Sequence, residues 1–157
     1  MAELRVCALY PDLMNIYADR GNLLLLRKRC EWRGIGFELT GAGLGDEVDL
    51  PGLDGPRVLA GFENHGGRTY LGAAEQPLGR VLRGHGNDGR SGFEGVRGGP
   101  HDTVVGTYLH GPLLPKNAHF ADWLTATALG IAPSELGPLD DALESAAHAA
   151  ARRAAGL

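Results

Sequence analysis

The residue best suited to chemistry in this sequence is His110, which lies in the stretch TVVGTYLHGPLLPKN at residues 103–117. The apolar and β-branched residues before it favour a strand, and Gly111-Pro112 cannot continue one. Open α/β sheets place their chemistry at the carboxyl ends of strands, and an imidazole titrates near neutral pH. The position therefore suits a general base, although a histidine that only ends a strand and hydrogen-bonds a loop carbonyl would show the same pattern.

A second concentration of polar residues is GFENHGGRTYLG at residues 61–72, where Glu63, Asn64, His65 and Arg68 crowd together. So many functional groups exceed what a turn requires. The alternative is a tight turn in which the arginine and the glutamate form a surface ion pair. The stretch is therefore a candidate to line a site, and no substrate-binding residue is assigned within it.

The two cysteines, Cys7 and Cys30, are the only thiols in the sequence. Cys7 falls in a predicted strand and Cys30 in a predicted helix, so we predict that both are small buried hydrophobic residues. They form no Cys-x-x-Cys pair and are too few for a disulfide framework, which favours the reducing cytoplasm as the compartment.

The sequence lacks the motifs of a metal site, a serine hydrolase and a phosphate-binding loop. His65, His85 and His101 lie beside glycine or proline in turns, and no two histidines have the i, i+4 spacing of a helical metal site. Zinc requires three or four ligands, so we predict no metal. Ser91 lies in GRSG, which is not the G-x-S-x-G of a serine hydrolase, and there is no GxxxxGK[ST] phosphate loop.

The length of 157 residues suits one domain with its own core, and a net charge of −4 with a pI near 5.8 argues against a nucleic-acid surface. No apolar run approaches the ~20 residues of a membrane span, and the first residues lack a signal-peptide pattern. We predict a single domain over residues 1–157, made of an N-terminal βαβ unit (1–46), a junction (47–57) and a C-terminal half (58–157).

The N-terminal unit follows from its periodicity. Apolar runs at 4–10 and 37–40 predict two strands, and the leucine-rich 23–33 between them predicts a helix, with Asp19 or Asn22 as its N-cap. A strand–helix–strand unit of this kind makes a parallel pair, which places the chain in the α/β class.

The C-terminal half is dense in glycine turns, which predicts short antiparallel strands before the strand that carries His110. These predicted strands cover 57–62, 69–71, 78–82 and 93–96. Asn117 is the predicted N-cap of a helix at 118–129, and an alanine-rich helix at 138–155 carries His148 as a solvated residue.

Three long stretches, in this order, resemble a known family. They are LYPDLMNIYADRGNLLLLRKRCEWRGI (9–35), GFENHGGRTYLG (61–72) with PLGRVLRGHGNDG (77–89), and GTYLHGPLLPKN (106–117). They are similar to the GatD type of glutaminase subunit of lipid II isoglutaminyl synthases, in the cobyric-acid-synthase-like branch of class I glutamine amidotransferases.

The resemblance implies a flavodoxin-like, three-layer α/β/α fold. It implies hydrolysis of glutamine to ammonia, which a MurT-like Mur ligase partner uses with ATP to amidate D-glutamate in the lipid II stem peptide. The chain itself would need no cofactor. In that chemistry a cysteine thiolate attacks the amide and a histidine handles the proton, and His110 matches the histidine. Pro112 stands where many relatives carry a third, glutamate member, so at most a Cys-His dyad is implied.

One family feature is missing. Between the opening unit and GFENHGG, relatives carry the nucleophile and its oxyanion hole in a G-x-C-x-G elbow, and this sequence has DEVDLPGLDGPR there instead. Neither Cys7 nor Cys30 matches that elbow, so we expect a truncated central sheet. The alternatives to a working glutaminase subunit are a non-catalytic interaction module that still docks on the ligase and an unstable remnant with exposed strand edges.

Overall fold

A computed structural model describes residues 2–9, 19–42, 60–63, 65–99 and 104–157. It shows an α/β chain with three helices and eight short strands in this described part. The predicted junction at 47–57, together with Asn64 and His101, lies outside the described residues. The helices of the described part are all too short or too polar to cross a membrane.

The N-terminal unit consists of β1 (Glu3–Leu9), α1 (Asp19–Trp32) and β2 (Gly36–Ala42). The two strands pair in parallel, which confirms the predicted βαβ arrangement. The helix begins at Asp19, so the capping role predicted for Asp19 or Asn22 is wrong, because both lie inside the helix. Gly34, at φ +66°, takes the left-handed conformation that glycine adopts most easily after a helix end.

A hydrophobic core joins α1 to β1 and to the chain that follows His110. Its buried members are apolar side chains from four segments, Leu4, Leu26, Cys30, Leu113, Leu114, Phe120 and Ala121. Cys30 is fully buried among them and Cys7 is half-buried in β1, so the packing role predicted for Cys30 is confirmed. This core fixes α1 against the segment that begins just after the candidate catalytic histidine.

A buried ion network lies beside the core. Arg29 is fully buried in α1, and its guanidinium donates hydrogen bonds to Asp122 (2.7 and 2.9 Å) and to Asp141. Arg33 donates to Asp122 as well. Burial by itself would lower the pKa of Arg29, but the bonds to the two aspartates raise it overall. The network ties α1 to the two helices at the other end of the chain.

The described part of the C-terminal half contains three two-stranded antiparallel pairs. They are β3 (Phe62–Glu63) with β8 (Leu109–His110), β4 (Gly79–Arg80) with β5 (Phe93–Glu94), and β6 (Val96–Gly98) with β7 (Val104–Gly106). The predicted pairing of 78–82 with 93–96 is confirmed, although the strands are shorter. The predicted strand at 69–71 is wrong. Half of the strand predicted at 57–62 lies outside the described residues, and of the other half only Phe62 is in a strand.

Two helices complete the chain. α2 (Ala118–Leu129) has the predicted bounds and ends at Gly130 (φ +67°), whereas α3 (Ala142–Ala154) begins four residues later than predicted. Asn117 precedes α2, but its side chain does not cap the helix. It accepts a hydrogen bond from Ala60 N–H (2.8 Å) and donates to the carbonyls of Ala60 and Leu113 instead.

Candidate functional site

His110 ends strand β8, where it pairs with Phe62 of β3, as the sequence predicts for the end of a strand. The backbone just before β3 lies very close to β8. A Cβ added at Gly61 would lie 2.9 Å from Leu109 Cβ and 3.1 Å from the carbonyl oxygen of His110. Gly111, at φ +92°, then turns the chain out of the strand. Gly61, across the strand pair, and Gly111, next in sequence, therefore determine the backbone position of the half-buried His110.

The strand predicted to run continuously through residues 103–110 is interrupted in its middle. Val104–Gly106 pairs with β6 and Leu109–His110 pairs with β3, and the two residues between them belong to neither ladder. The Glu94 carboxylate accepts hydrogen bonds from Thr107 Oγ1 (2.7 Å) and from Tyr108 N–H (2.8 Å). A buried carboxylate therefore replaces the strand partner just before His110.

Glu94 is buried, and only one of its oxygens is used. Its Oε2 has no hydrogen-bond partner in the part of the chain that the structure describes. Thr107 extends the support, because its Oγ1 accepts from the N–H of Leu109 (3.0 Å). The backbone N–H groups of two consecutive residues before His110, Tyr108 and Leu109, are thus both bonded by side chains.

Tyr108 joins this segment to the polar cluster predicted from GFENHGGRTYLG. Its ring stacks on the imidazole of His65 with centroids 3.6 Å apart and an interplanar angle of 5°. Its hydroxyl is hydrogen-bonded to Thr69 Oγ1 at 2.8 Å. His65 and Thr69 are therefore structural partners of the His110 segment, and the predicted Arg–Glu surface pair is absent from the ion pairs of the described residues.

The third stretch, PLGRVLRGHGNDG, is bound to the other two by side chains that contact backbone. The Glu63 carboxylate accepts from the N–H groups of His85 (2.9 Å) and Gly86 (2.8 Å). Buried Asn87 accepts from Gly95 N–H (2.7 Å) and donates to the Gly95 carbonyl (2.8 Å). Gly95 directly follows Glu94, so this turn also positions the carboxylate that holds Tyr108.

A cavity of about 300 Å³ opens between the two glycine-rich turns. Its lining combines glycines with six polar or charged residues, which are Glu63, His65, Arg68, His85, Asn87 and Asp88. Backbone N–H groups of Ser91 and Arg90 lower the pKa of Asp88, so this carboxyl stays ionised. A small polar molecule fits these walls chemically. His110 is not among the lining residues. Tyr108, two residues before it, stacks on His65, which is one of them.

The helix α1 supports the loop on the far side of His110. Pro112 lies directly against Gly21, where an added Cβ would be 2.6 Å from the proline Cγ. Asn22 Oδ1 accepts the N–H of Leu114 at 2.9 Å. At the position of a third catalytic member in many relatives, this chain therefore places an apolar packing contact.

The described residues contain no group of three or more histidine, cysteine or acidic side chains placed to hold a metal ion. His148 is not the solvated residue that the sequence predicts. It is half-buried, its Nδ1 lies 2.8 Å from the Lys116 carbonyl oxygen, and its ring meets His119 edge-on. Its place in α3, packed against the turn before α2, explains this burial.

Neither cysteine has the setting of a nucleophile. Burial raises the pKa of the Cys30 thiol, whereas nucleophilic cysteines are partly exposed and have a lowered pKa. Cys7 lies in the middle of β1, opposite Thr40 of β2, and not at a turn from a strand into a helix. The nucleophile that would serve His110 is therefore not supplied by either thiol in this arrangement.

Comparison with known proteins agrees with this geometry. A model of the CobB/CobQ-like glutamine amidotransferase domain matches residues 52–118, which include the three antiparallel strand pairs and the turns around Tyr108. A Streptococcus pneumoniae protein, lipid II isoglutaminyl synthase (glutamine-hydrolyzing) subunit GatD, is 48% identical over 131 residues. The match covers 80% of this chain and 47% of that protein.

The Staphylococcus aureus protein of the same name is 40% identical over 104 residues, which are 59% of this chain and 41% of that protein. The chain thus matches less than half the length of either relative. The resemblance drawn from the sequence is confirmed: residues 52–118 are similar to the CobB/CobQ-like glutamine amidotransferase domain, and the chain is similar over 131 residues to a subunit named GatD.

Proposed function

We propose that this chain is a GatD-like glutaminase subunit of an ammonia-dependent ligase. The observation that carries the proposal is the convergence of separate stretches on Thr107 and Tyr108, just before His110. Glu94 bonds both residues and His65 stacks on Tyr108, and Glu63 and Asn87 hold the turns beside them. Side-chain contacts that fix the backbone next to one histidine are typical of a residue whose position matters for chemistry.

In this role the residue matched to proton handling is His110. It would take the proton of a thiol that attacks the glutamine side-chain carbonyl and pass it to the nitrogen as the C–N bond breaks. Ammonia leaves, and water then cleaves the thioester to give glutamate. The resemblance supports a MurT-like ligase as the protein that receives the ammonia and uses ATP to amidate D-glutamate of lipid II. In this proposal the chain itself binds no cofactor.

The finer fold follows from the same relationship. We propose a three-layer α/β/α arrangement with a truncated central sheet, because β1 and β2 are parallel and α1 and α2 contribute to one core with β1. The cytoplasm is the proposed compartment, supported by two cysteines that are both free.

A second candidate function is a non-catalytic subunit that docks on the ligase. Two observations favour it, the lack of a G-x-C-x-G elbow in the sequence and the buried, high-pKa thiol of Cys30. Loss of a nucleophile together with its cooperating groups lowers the rate of a serine protease by about 10⁶-fold, and a loss of that order is expected here. Both candidates predict a complex with the ligase, and they differ only in ammonia release.

The deciding experiment measures ammonia from glutamine with the purified chain, alone and with a MurT-like ligase. A glutaminase subunit releases ammonia, and the release is lost in His110→Ala. A docking subunit releases none above background but still co-purifies with the ligase. Treatment with a glutamine-analogue electrophile, followed by intact mass, gives a check on the thiols, with Cys7→Ala and Cys30→Ala as matched variants. If no complex with the ligase forms, both candidates are wrong.

A further inference from the structure

A second concave site lies on the opposite side of strand β8 from His110. Adjacent residues of a strand point to opposite faces, and Leu109 lines this groove while His110 does not. The groove encloses about 240 Å³ between the segment around β4 and the last turn of α3. Its walls are largely apolar, with Leu78, Val81 and Leu82 on one side and Ala151, Ala155 and Leu157 on the other.

The apolar wall is open to solvent. Leu82 is 60% exposed and Leu157 is 45% exposed, although both border a concave surface that could cover them. The volume is below the ~300–1,000 Å³ of a site for a whole cofactor or drug-sized ligand. It suits one or two apolar side chains from a partner polypeptide, which is how binding hot spots are buried.

The charges around the groove specify the partner further. Three exposed arginines, Arg80, Arg83 and Arg152, line its edge in a chain whose net charge is −4. Within the described ranges, no aspartate or glutamate forms an ion pair with any of the three.

Two acids also line the groove, Glu63 and Glu94, and neither pairs with an arginine of the described residues. Glu63 accepts from the His85 and Gly86 N–H groups, and one oxygen of Glu94 accepts from Thr107 and Tyr108. Arg80 lies over the Phe93 ring, 5.2 Å from its centroid, which leaves its charge in place. The three guanidinium groups outnumber the two carboxylates of the lining and can therefore bind carboxylates from outside the chain.

We propose that this groove binds a partner protein through an acidic segment that inserts leucine-like side chains between β4 and α3 and places carboxylates on the three arginines. The inference concerns the chemistry of the docking segment, and it does not depend on whether the chain hydrolyses glutamine. Because Leu109 forms part of the floor, a bound segment would contact the same strand that carries His110.

The test uses a fluorescein-labelled peptide in which two leucines are flanked by aspartates and glutamates, titrated with the full chain and followed by anisotropy. We expect saturable binding that weakens at high salt, since exposed charge pairs are screened. A peptide with serines in place of the leucines, and one with asparagines and glutamines in place of the acids, should each bind at least about tenfold more weakly.

Matched variants locate the binding. Leu82→Asp and Arg83→Glu change exposed groove residues, so the fold should survive, and each is expected to weaken binding by about tenfold or more. Leu143→Asp, at a leucine that is 85% exposed outside the groove, and Arg90→Glu, at an exposed turn, make the same chemical changes elsewhere and should leave binding unchanged.

Three results would overturn the proposal. The first is no anisotropy change up to about 1 mM chain, the weakest affinity worth calling specific. The second is equal binding by the serine peptide or by the groove variants and their controls. The third is a concentration-dependent dimer that Leu82→Asp dissociates, which would assign the groove to a second copy of this chain. Ammonia release plays no part in any of these readouts, so they are independent of the glutaminase question.

Discussion

The N-terminal unit and the segment from Ala60 to His110 are stabilised in different ways. The first is a parallel strand pair and a fourteen-residue helix packed on a hydrophobic core. The second has strands of two or three residues, and buried Glu94 and Asn87, together with half-buried Glu63, bond backbone groups that no strand pairs. The difference shows how a glycine-rich chain can be held in place, because single polar side chains satisfy backbone N–H and C=O groups that a sheet would otherwise pair.

Polar contacts also stabilise the N-terminal unit, but there they join one side chain to another. Arg29 connects α1 to Asp122 of α2 and to Asp141 before α3. If the comparison is right, mutations in the first region should act on global stability, while mutations in the second should act on the geometry around Tyr108. The predictions below test this division.

The largest effect is expected from Arg29→Ala. It removes one of the two arginines that bond the Asp122 carboxylate bidentately and also removes the partner of Asp141, while Arg33 stays on Asp122. The expected loss therefore lies at the lower end of the about 3–5 kcal/mol that breaking a buried ion pair costs. Urea unfolding monitored by circular dichroism measures the loss. Lys28→Ala removes an exposed pair with Glu31 one position earlier in α1 and should cost less than about 1 kcal/mol. Equal losses in the two variants would contradict the assigned role.

Asn87→Ala should be the most damaging change in the glycine-rich region. It leaves both the N–H and the carbonyl of Gly95 unpaired in a buried position, at a cost of about 2–3 kcal/mol. Urea unfolding again gives the value. Arg90→Ala, three residues along in the same turn but exposed, is the control and should unfold like the unmodified chain.

Glu94→Ala is expected to act mainly on the segment before His110. It leaves Thr107 and Tyr108 without their acceptor, at about 1–2 kcal/mol, and should speed hydrogen exchange at the amides of Tyr108 and Leu109. Glu94→Gln keeps an oxygen acceptor of the same reach, so its exchange should remain close to that of the unmodified chain. Faster exchange spread evenly over β1 and α1 would show that Glu94 acts on the whole fold instead.

The smallest expected effect on stability concerns Asp122, and it is seen only when the pH is lowered. Burial alone would raise the pKa of Asp122, but hydrogen bonds from Arg29 and Arg33 lower it below its ordinary 3.8. Its contribution to stability is therefore complete above that ordinary value and is lost as the pH falls through the lower folded pKa. The urea midpoint of the unmodified chain should fall more steeply below pH 3.8 than that of Asp122→Asn. Parallel curves would exclude this carboxyl as a source of the acid sensitivity.

The sequence predicts the regular elements well and the irregular ones poorly, for physical reasons. The parallel unit and α2 follow from apolar periodicity and from glycine at the helix ends, which are local signals. Residues 69–71 have strand-forming composition, but Thr69 bonds Tyr108 and the Asn87 carbonyl, and no strand among the described residues pairs with them. Such contacts join distant parts of the chain and leave no local pattern.

The same limit applies to the site. His110 is predicted from its place at a strand end, and GFENHGG from its density of polar groups. Glu94 was missed, because an acid in GFEG looks like any turn residue until Thr107 and Tyr108 are seen to bind it. Arg29 was missed too, since arginines in a predicted helix are most often exposed. The available signal for Arg29 was its helical spacing from Leu25, Leu26 and Trp32, and the neighbours of Glu94 give no signal.

Asn117 has a consequence for how this lineage can change in length. Its side chain clamps the backbone of Ala60, 57 residues away, onto the turn that opens α2. The chain from Ala60 onward therefore has its own point of attachment, on the turn that opens α2. Insertions or deletions upstream of that clamp can therefore leave the histidine loop in place.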